Sequence, residues 1–193
     1  MSQQLHIIYF PGFGDRYDTG RRLLLRCWQV FGATTEFVPM HWNSNESYKE
    51  KLARVNNVID KTKNKRVVVI GESAGGSMAV AIYAQRYNDL FKVMTVSGKN
   101  SNHASVAPRL YLKHPAFRES MRATENALKK IDGNMRHRFV SFYPLYDGVI
   151  PYNEAVIPES KVVRLFSSGH FFTIFLALTL YSSYLVFIAN RRN

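Results

Sequence analysis

A serine in a glycine-rich turn is the first feature of this sequence that could carry out covalent chemistry. The segment Gly-Glu-Ser73-Ala-Gly follows a run of valine and isoleucine, precedes a helical stretch of small residues, and matches the pattern G-x-S-x-G. A strand that turns sharply into a helix holds the serine hydroxyl out at the end of the strand, and Gly71 and Gly75 are needed because side chains there would collide with neighbouring backbone. The turn also directs the N–H of Ala74 to the place where an oxyanion would form. The pattern therefore predicts Ser73 as a nucleophile, and the alternative is a glycine-rich turn without chemistry.

Two later motifs contain the residues that such a serine requires. Asp147 begins Asp-Gly-Val-Ile-Pro after one predicted strand, and His170 lies in Gly-His-Phe after the last. With the serine turn, these motifs resemble the α/β-hydrolase superfamily in type and order, and the resemblance extends from Ile7 to about Phe175. It implies that His170 is the base that removes the serine proton and that Asp147 orients this histidine.

The other acids and histidines match these roles less well. Asp89 precedes a strand and Asp132 lies in an Asp-Gly-Asn turn that ends a helix, so both are expected at the wrong end of a strand. Five further histidines stand in no matching motif; they are His6, His41, His103, His114 and His137. Because neither H-x-x-x-H nor H-E-x-x-H occurs, we predict no catalytic metal and expect the reaction to need no cofactor.

A second oxyanion donor is expected in the loop after the first strand. The loop Pro-Gly-Phe-Gly resembles the corresponding family loop at Gly12 and Phe13, which implies that the N–H of Phe13 is this donor. Pro11 stands where the family often has histidine, but the donor is a backbone group. The Gly-Gly-Gly loop of the carboxylesterase and lipase branch is absent, which leaves the subfamily open.

Alternating strands and helices must position these residues. The six predicted strands are 5–10, 35–38, 66–70, 91–96, 138–143 and 161–166. Their alternation with helical stretches predicts an α/β fold with a parallel sheet and helices on both faces. The length of 193 residues and the lack of a linker predict a single domain, 1–193. The resemblance implies a minimal α/β-hydrolase fold of about six strands with little or no lid.

Local patterns give two further expectations. Residues 19–31 are expected to form a helix with one apolar face of Leu23, Leu24, Cys27, Trp28 and Phe31, which would place the single cysteine in the core. Asn43 and Glu46 have the spacing of a capping box that would begin the next helix.

Charge and terminal segments bear on partners and location. The formal net charge is +12, but the basic residues are spread along the chain without a nucleic-acid motif, so we expect no nucleic-acid partner and interpret them as a solvated surface. The apolar run at 5–10 is shorter than the core of a signal peptide, which favours a cytoplasmic location.

The C-terminal stretch 171–190 is uncharged and as long as a membrane span. Because family members end in a helix that packs on the sheet, we favour a packed helix, whose exposed apolar area would be available to a membrane surface or a second subunit. The alternative is a bilayer span with Arg191 and Arg192 as interfacial anchors.

These observations together favour a serine hydrolase, most simply a carboxylesterase or thioesterase, that forms an acyl-serine intermediate on a small acyl substrate. A non-catalytic or membrane-associated interaction protein on the same scaffold is one alternative. An acyltransferase or perhydrolase that uses the same three residues is another.

Overall fold

A computed structural model gives the structure of residues 3–62 and 64–191, and its centre is one parallel six-stranded sheet in the order β2-β1-β3-β4-β5-β6. The strands are β1 (Leu5–Phe10), β2 (Thr34–Phe37), β3 (Arg66–Glu72), β4 (Lys92–Val96), β5 (Phe139–Tyr146) and β6 (Lys161–Ser168). The predicted six-stranded α/β fold is confirmed. The central strand β3 is buried along nearly its whole length because helices cover both faces, which explains its unbroken Val/Ile sequence.

Two helical layers enclose the sheet. The α-helices of the described part of the chain are α1 (Asp18–Cys27), α2 (Tyr48–Asp60), α3 (Gly75–Gln85), α4 (Pro108–Lys113), α5 (Pro115–Leu128), α6 (Gly133–Arg136), α7 (Tyr152–Ala155), α8 (His170–Leu178) and α9 (Ser182–Asn190). Helices α2, α3 and α5 form one core with the sheet, and α1, α8 and α9 form the other. Side chains of β3 alternate between these cores, with Val67 and Val69 in the first and Val68 and Ile70 in the second.

The first helix faces the sheet with a different side from the predicted one. It buries Arg21 and Leu25, and a short 3-10 turn (Trp28–Phe31) then buries Trp28. Leu23 is 62% exposed and Cys27 is exposed, so the prediction of a core cysteine is wrong. The physical reason is that Arg21 pairs with the buried carboxylate of Glu72. This ion pair fixes the rotation of the helix about its axis.

The capping box lies four residues later than predicted. Ser47 is the N-cap of α2: its Oγ accepts from the N–H of Glu50, whose carboxylate accepts from the N–H of Ser47. Glu46 instead accepts from Lys51 and Arg54. The sequence therefore contains two pairs with the spacing of a capping box, and the second pair, Ser47 and Glu50, begins the helix.

The C-terminal apolar stretch forms two helices rather than one. Helices α8 and α9 meet at 71°, and no single helix of the described part is long and apolar enough to cross a membrane. Each helix buries one side in the second core, α8 with Ile174 and Leu178 and α9 with Leu185. Of the two basic anchors considered above, Arg191 ends α9 and Arg192 lies outside the described residues.

Little chain lies above the carboxyl ends of the strands. Between β4 and β5, the helix α5 packs on α3 and belongs to the first core. Within this connection, the cavity next to Ser73 is bordered by the segment 97–107, the short helix α4 and Phe117 of α5. This arrangement fits the expected minimal fold with little lid.

Candidate active site

The fold brings Ser73, Asp147 and His170 together at the carboxyl edge of the sheet. Ser73 follows β3, Asp147 follows β5, and His170 begins α8 directly after β6. His170 Nε2 lies 2.9 Å from Ser73 Oγ, and His170 Nδ1 lies 2.8 Å from Asp147 Oδ2. With the proton on Nδ1, the imidazole donates to the carboxylate and accepts from the serine hydroxyl. These distances are those that proton transfer from a serine to a histidine requires.

The Asp147 carboxylate is fixed on both of its oxygens. Oδ1 accepts from the N–H groups of Val149 and Ile150, at 2.9 and 3.0 Å, while Oδ2 accepts from His170. Burial alone would raise the pKa of Asp147, but these hydrogen bonds outweigh burial and hold the pKa below its ordinary value. Asp147 is therefore ionised at neutral pH and can hold His170 in one orientation.

Ser73 adopts the backbone conformation of a sharp strand-to-helix turn. Its φ is +48°, in the left-handed region that non-glycine residues rarely occupy. Its N–H donates to Val96 O at 3.1 Å, and its C=O accepts from the N–H of Lys99 at 2.8 Å. A Cβ on Gly71 would lie 2.5 Å from the carbonyl oxygen of Gly75, which is why the turn needs glycine there. The surrounding backbone thus holds the strained serine in place.

Two backbone N–H groups beside Ser73 are free to donate hydrogen bonds to an oxyanion. Ala74 is the N-cap residue of α3, and Phe13 follows Gly12, which lies so close to the serine that a Cβ on it would be 2.6 Å from Ser73 Cβ. Ala74 and Phe13 border the same cavity as Ser73. Over 3–62 and 64–191, neither N–H has a hydrogen-bond acceptor. Unpaired donors next to a nucleophile suit a tetrahedral intermediate.

Beneath this site lies a buried charge network that sequence reasoning missed. The Glu72 side chain is fully buried, and its Oε1 accepts from Arg21 Nη2 at 2.5 Å and from the N–H of Gly12 at 3.1 Å. The Tyr9 hydroxyl donates to Oε2. Burial, followed by the nearby Glu72 carboxylate, raises the pKa of Tyr9 well above its ordinary value, so the phenol keeps the proton that it donates.

Arg21 connects the same network to the loop that contains Phe13. Its guanidinium donates to Phe13 O at 3.2 Å, to Gly14 O at 2.9 Å and to Asp18 Oδ1 at 3.0 Å. The loop is therefore held at Gly12 N, Phe13 O and Gly14 O, on both sides of the free Phe13 N–H. The signal that could have shown this is a glutamate at the end of a buried strand, since such a charge needs a buried cation.

A cavity of about 340 Å³ opens beside the serine, and most of the side chains that line it are apolar. Its lining includes Phe13, Val106, Leu110, Phe117, Val149 and Ile150. Two charged side chains, Lys99 and Glu154, also border it and form an ion pair. Asn102 Nδ2 donates to Glu154 at 2.7 Å and Lys99 donates to Ser105 Oγ at 2.7 Å, so the pair is satisfied within the protein. The cavity therefore offers an apolar surface to a ligand.

The rival acids Asp89 and Asp132 and the buried His114 bond to groups other than Ser73 and His170. Asp89 accepts from Arg86 at 2.6 Å, and Asp132 accepts from the N–H of Met135 as the N-cap of α6. His114 is buried beside the Phe13 ring, and its Nδ1 bonds to the carbonyl of Trp42 at 2.9 Å. No group of three or more His, Cys, Asp or Glu within the described ranges could hold a metal ion.

Comparisons with known proteins identify the fold. No protein-family model and no curated protein matches the sequence. Among solved structures, a chain described under LipS and LipT, two metagenome-derived lipolytic enzymes, is 13% identical with a TM-score of 0.72, and the match covers 100% of this chain and 96% of that chain. Est1E from Butyrivibrio proteoclasticus is 12% identical with a TM-score of 0.69, covering 98% and 89%. A thioesterase domain from the curacin biosynthetic pathway is 12% identical with a TM-score of 0.66, covering 95% and 91%.

The likeness extends over almost all of each chain, and the strand order and all-parallel pairing agree with it. At these sequence identities, it is the fold that is shared. The chain has the α/β-hydrolase fold.

Proposed function

We propose that this protein is a serine hydrolase that cleaves a carboxylic ester or thioester through an acyl-serine intermediate. The observation that carries the proposal is the hydrogen-bonded series from Ser73 through His170 to Asp147, beside two unpaired N–H groups. Structures of the same fold whose names describe lipolytic enzymes and a thioesterase domain support ester cleavage in general.

In the acylation half of the reaction, Ser73 Oγ attacks the substrate carbonyl carbon while its proton moves to His170 Nε2. The carbonyl oxygen becomes an oxyanion and accepts from the N–H groups of Ala74 and Phe13. Asp147 stabilises the imidazolium that forms and keeps its ring oriented. The intermediate then collapses: the bond from carbon to the leaving oxygen or sulfur breaks, and His170 gives its proton to the leaving alcohol or thiol.

In the deacylation half, a water molecule replaces the leaving group. His170 removes a proton from this water as it attacks the acyl carbon. When the second tetrahedral intermediate collapses, the bond from the acyl carbon to Ser73 Oγ breaks, His170 Nε2 returns its proton to Oγ, and the carboxylic acid is released. No electron transfer occurs, and the residues present supply every proton transfer.

The cavity indicates the class of acyl group. Its volume of about 340 Å³ and its apolar lining suit a short or medium-length hydrocarbon chain rather than a charged or sugar-like group. Because the Lys99–Glu154 pair is already satisfied within the protein, it does not call for a charged substrate.

The test is hydrolysis of p-nitrophenyl acetate, butyrate and octanoate by the wild type, Ser73→Ala, His170→Ala and the control Ser168→Ala. Ser168 is an exposed serine at the end of β6, and its replacement should leave kcat unchanged. We expect kcat to fall by a factor on the order of 10⁴ or more in the first two variants. A folded wild type that hydrolyses none of the esters would favour the non-catalytic interaction protein. Faster acyl transfer to an added alcohol or to hydrogen peroxide than to water would favour the acyltransferase or perhydrolase.

A further inference from the structure

The two helical layers differ in what they expose. On the layer formed by α1, the 3-10 turn, α8 and α9, many large apolar side chains reach solvent; the exposed fraction is more than half for Leu23, Val30, Phe172, Phe175, Leu180 and Phe187. We call these six residues the apolar surface. Across the described residues of α2, α3 and α5, no large hydrophobic side chain is exposed. Helix α1 contacts α8, and α9 contacts both α8 and the 3-10 turn, so these elements form one layer, which contains all six residues of the apolar surface.

Single exposed hydrophobic residues are ordinary, but many of them gathered on one layer of a stable protein indicate an interface. The outer side of α8 shows the contrast most clearly, because a helix packed on a sheet normally presents polar residues to water. Here Phe171, Phe172 and Phe175 are exposed, and the sequence contains no Asp, Glu, Lys or Arg from 165 to 190. These helices also bury their inner sides in the second core, so the outer side of the layer is the part available to a membrane surface.

The charges on this layer are of one sign. Its exposed charged side chains in the described residues are Arg22 and Arg26 of α1 and Arg191, which directly follows α9. The Arg191 guanidinium lies 5.2 Å from the centre of the Phe187 ring. The acid in α1, Asp18, is buried and paired with Arg21.

The opposite layer has exposed acids, for example Glu50 and Glu119. A second copy of the chain would bring arginine against arginine, whereas an anionic bilayer complements both the arginines and the overall charge of +12.

We propose that the apolar surface docks on an anionic lipid bilayer, where its side chains enter the boundary between headgroups and acyl chains and Arg22, Arg26 and Arg191 pair with lipid phosphates. The docked face adjoins the reaction site, because His170 is the first residue of α8 and the ring centres of His170 and Phe171 are 5.4 Å apart. Where the proposed function also holds, docking gives this serine access to acyl esters at the membrane.

The test is vesicle flotation with the full chain, using phosphatidylcholine alone and phosphatidylcholine mixed with phosphatidylserine. We compare the wild type with Phe172→Ser/Phe175→Ser and with Arg22→Gln/Arg26→Gln. The matched control is Arg118→Gln/Arg122→Gln, which removes the same charge from exposed positions on α5 of the opposite layer.

We expect the wild type to float with the anionic vesicles, both surface variants to bind about tenfold more weakly or worse, and the control to bind as the wild type does. Equal binding to neutral vesicles, an equal loss in the control, or no flotation would overturn the proposal. So would a wild-type dimer in sedimentation that Phe172→Ser/Phe175→Ser dissociates, since the partner would then be a second copy.

Circular dichroism checks that each variant is folded, and the arginine variant tests the proposal even where the phenylalanine variant fails to fold. Hydrolysis of soluble p-nitrophenyl acetate is the independent readout. Activity that is retained in variants that no longer float separates membrane docking from the chemistry at Ser73.

Discussion

Replacing Arg21 with methionine would leave the Glu72 carboxylate buried without its cation. Glu72 is fully buried and Arg21 is 9% exposed, so water cannot take the place of the guanidinium. Removing one partner of a buried ion pair costs about 3–5 kcal/mol of unfolding free energy. In a chain of this length, 1 kcal/mol corresponds to about 2–4 °C in Tm, so we expect Tm to fall by roughly 6–20 °C.

The same substitution should slow catalysis without weakening substrate binding. Arg21 donates to the carbonyl groups of Phe13 and Gly14, on the loop whose N–H is the proposed oxyanion donor. A donor displaced by about 1 Å from a developing charge loses a factor on the order of 10² in kcat, whereas KM reflects the cavity and should change little.

The assay combines thermal unfolding with ester kinetics below the lowest Tm of the set. Arg22→Met is the matched control, because Arg22 is the exposed neighbour whose guanidinium lies over the Phe37 ring rather than in the network. Arg21→Met/Glu72→Leu should regain much of the lost stability, since no buried charge remains, but not the kcat. A fall in Tm of less than about 2 °C together with an unchanged kcat in Arg21→Met would refute this role for the network.

Four further substitutions test the orienting acid, the serine turn, a buried lysine and the cavity. Asp147→Asn should lower kcat about 10⁴-fold in ester assays while leaving the Tm close to that of the wild type, because the histidine loses its orienting carboxylate. Gly75→Ala should yield little soluble protein on expression, because the added Cβ would collide with the carbonyl group of Phe10. Burial, and then the nearby cations Lys161, Arg66 and Arg191, lower the pKa of Lys92 from 10.5 to about 8. Between these values the unfolded chain binds more protons, so the free energy of unfolding should rise with pH by about 2–3 kcal/mol; urea titrations of Lys92→Met should lack this rise. Leu110→Trp should narrow the cavity and reduce kcat/KM for p-nitrophenyl octanoate far more than for the acetate.

Much of the fold is visible in the sequence because it depends on short-range patterns. Buried parallel strands require continuous runs of β-branched residues, and the glycines at 71 and 75 are required by backbone contacts around a single turn. The three motifs at strand ends could be placed on one edge because parallel strands end on the same side of a sheet. The structure brings Ser73, Asp147 and His170 within hydrogen-bonding distance there.

The predictions that were wrong concern features that are determined by contacts between residues far apart in the sequence. Arg21 and Glu72 are 51 positions apart, and their pairing rotates α1 away from the face that its leucines and cysteine indicate. Nothing in the composition of 171–190 signals a helix end, since no glycine or proline occurs there, yet the packing of α8 and α9 on the sheet requires a bend after Leu178. The two capping-box pairs have the same spacing, so only tertiary contacts select Ser47 over Asn43.

The most direct measurement of the central claim is covalent labelling of the folded protein by a fluorophosphonate probe, with the modified peptide located by mass spectrometry. An activated serine attacks phosphorus and displaces fluoride, so we expect one adduct on Ser73 in the wild type, none in Ser73→Ala and much slower labelling in His170→Ala. A folded wild type that remains unlabelled, or that is labelled at another residue, would show that Ser73 is not the nucleophile.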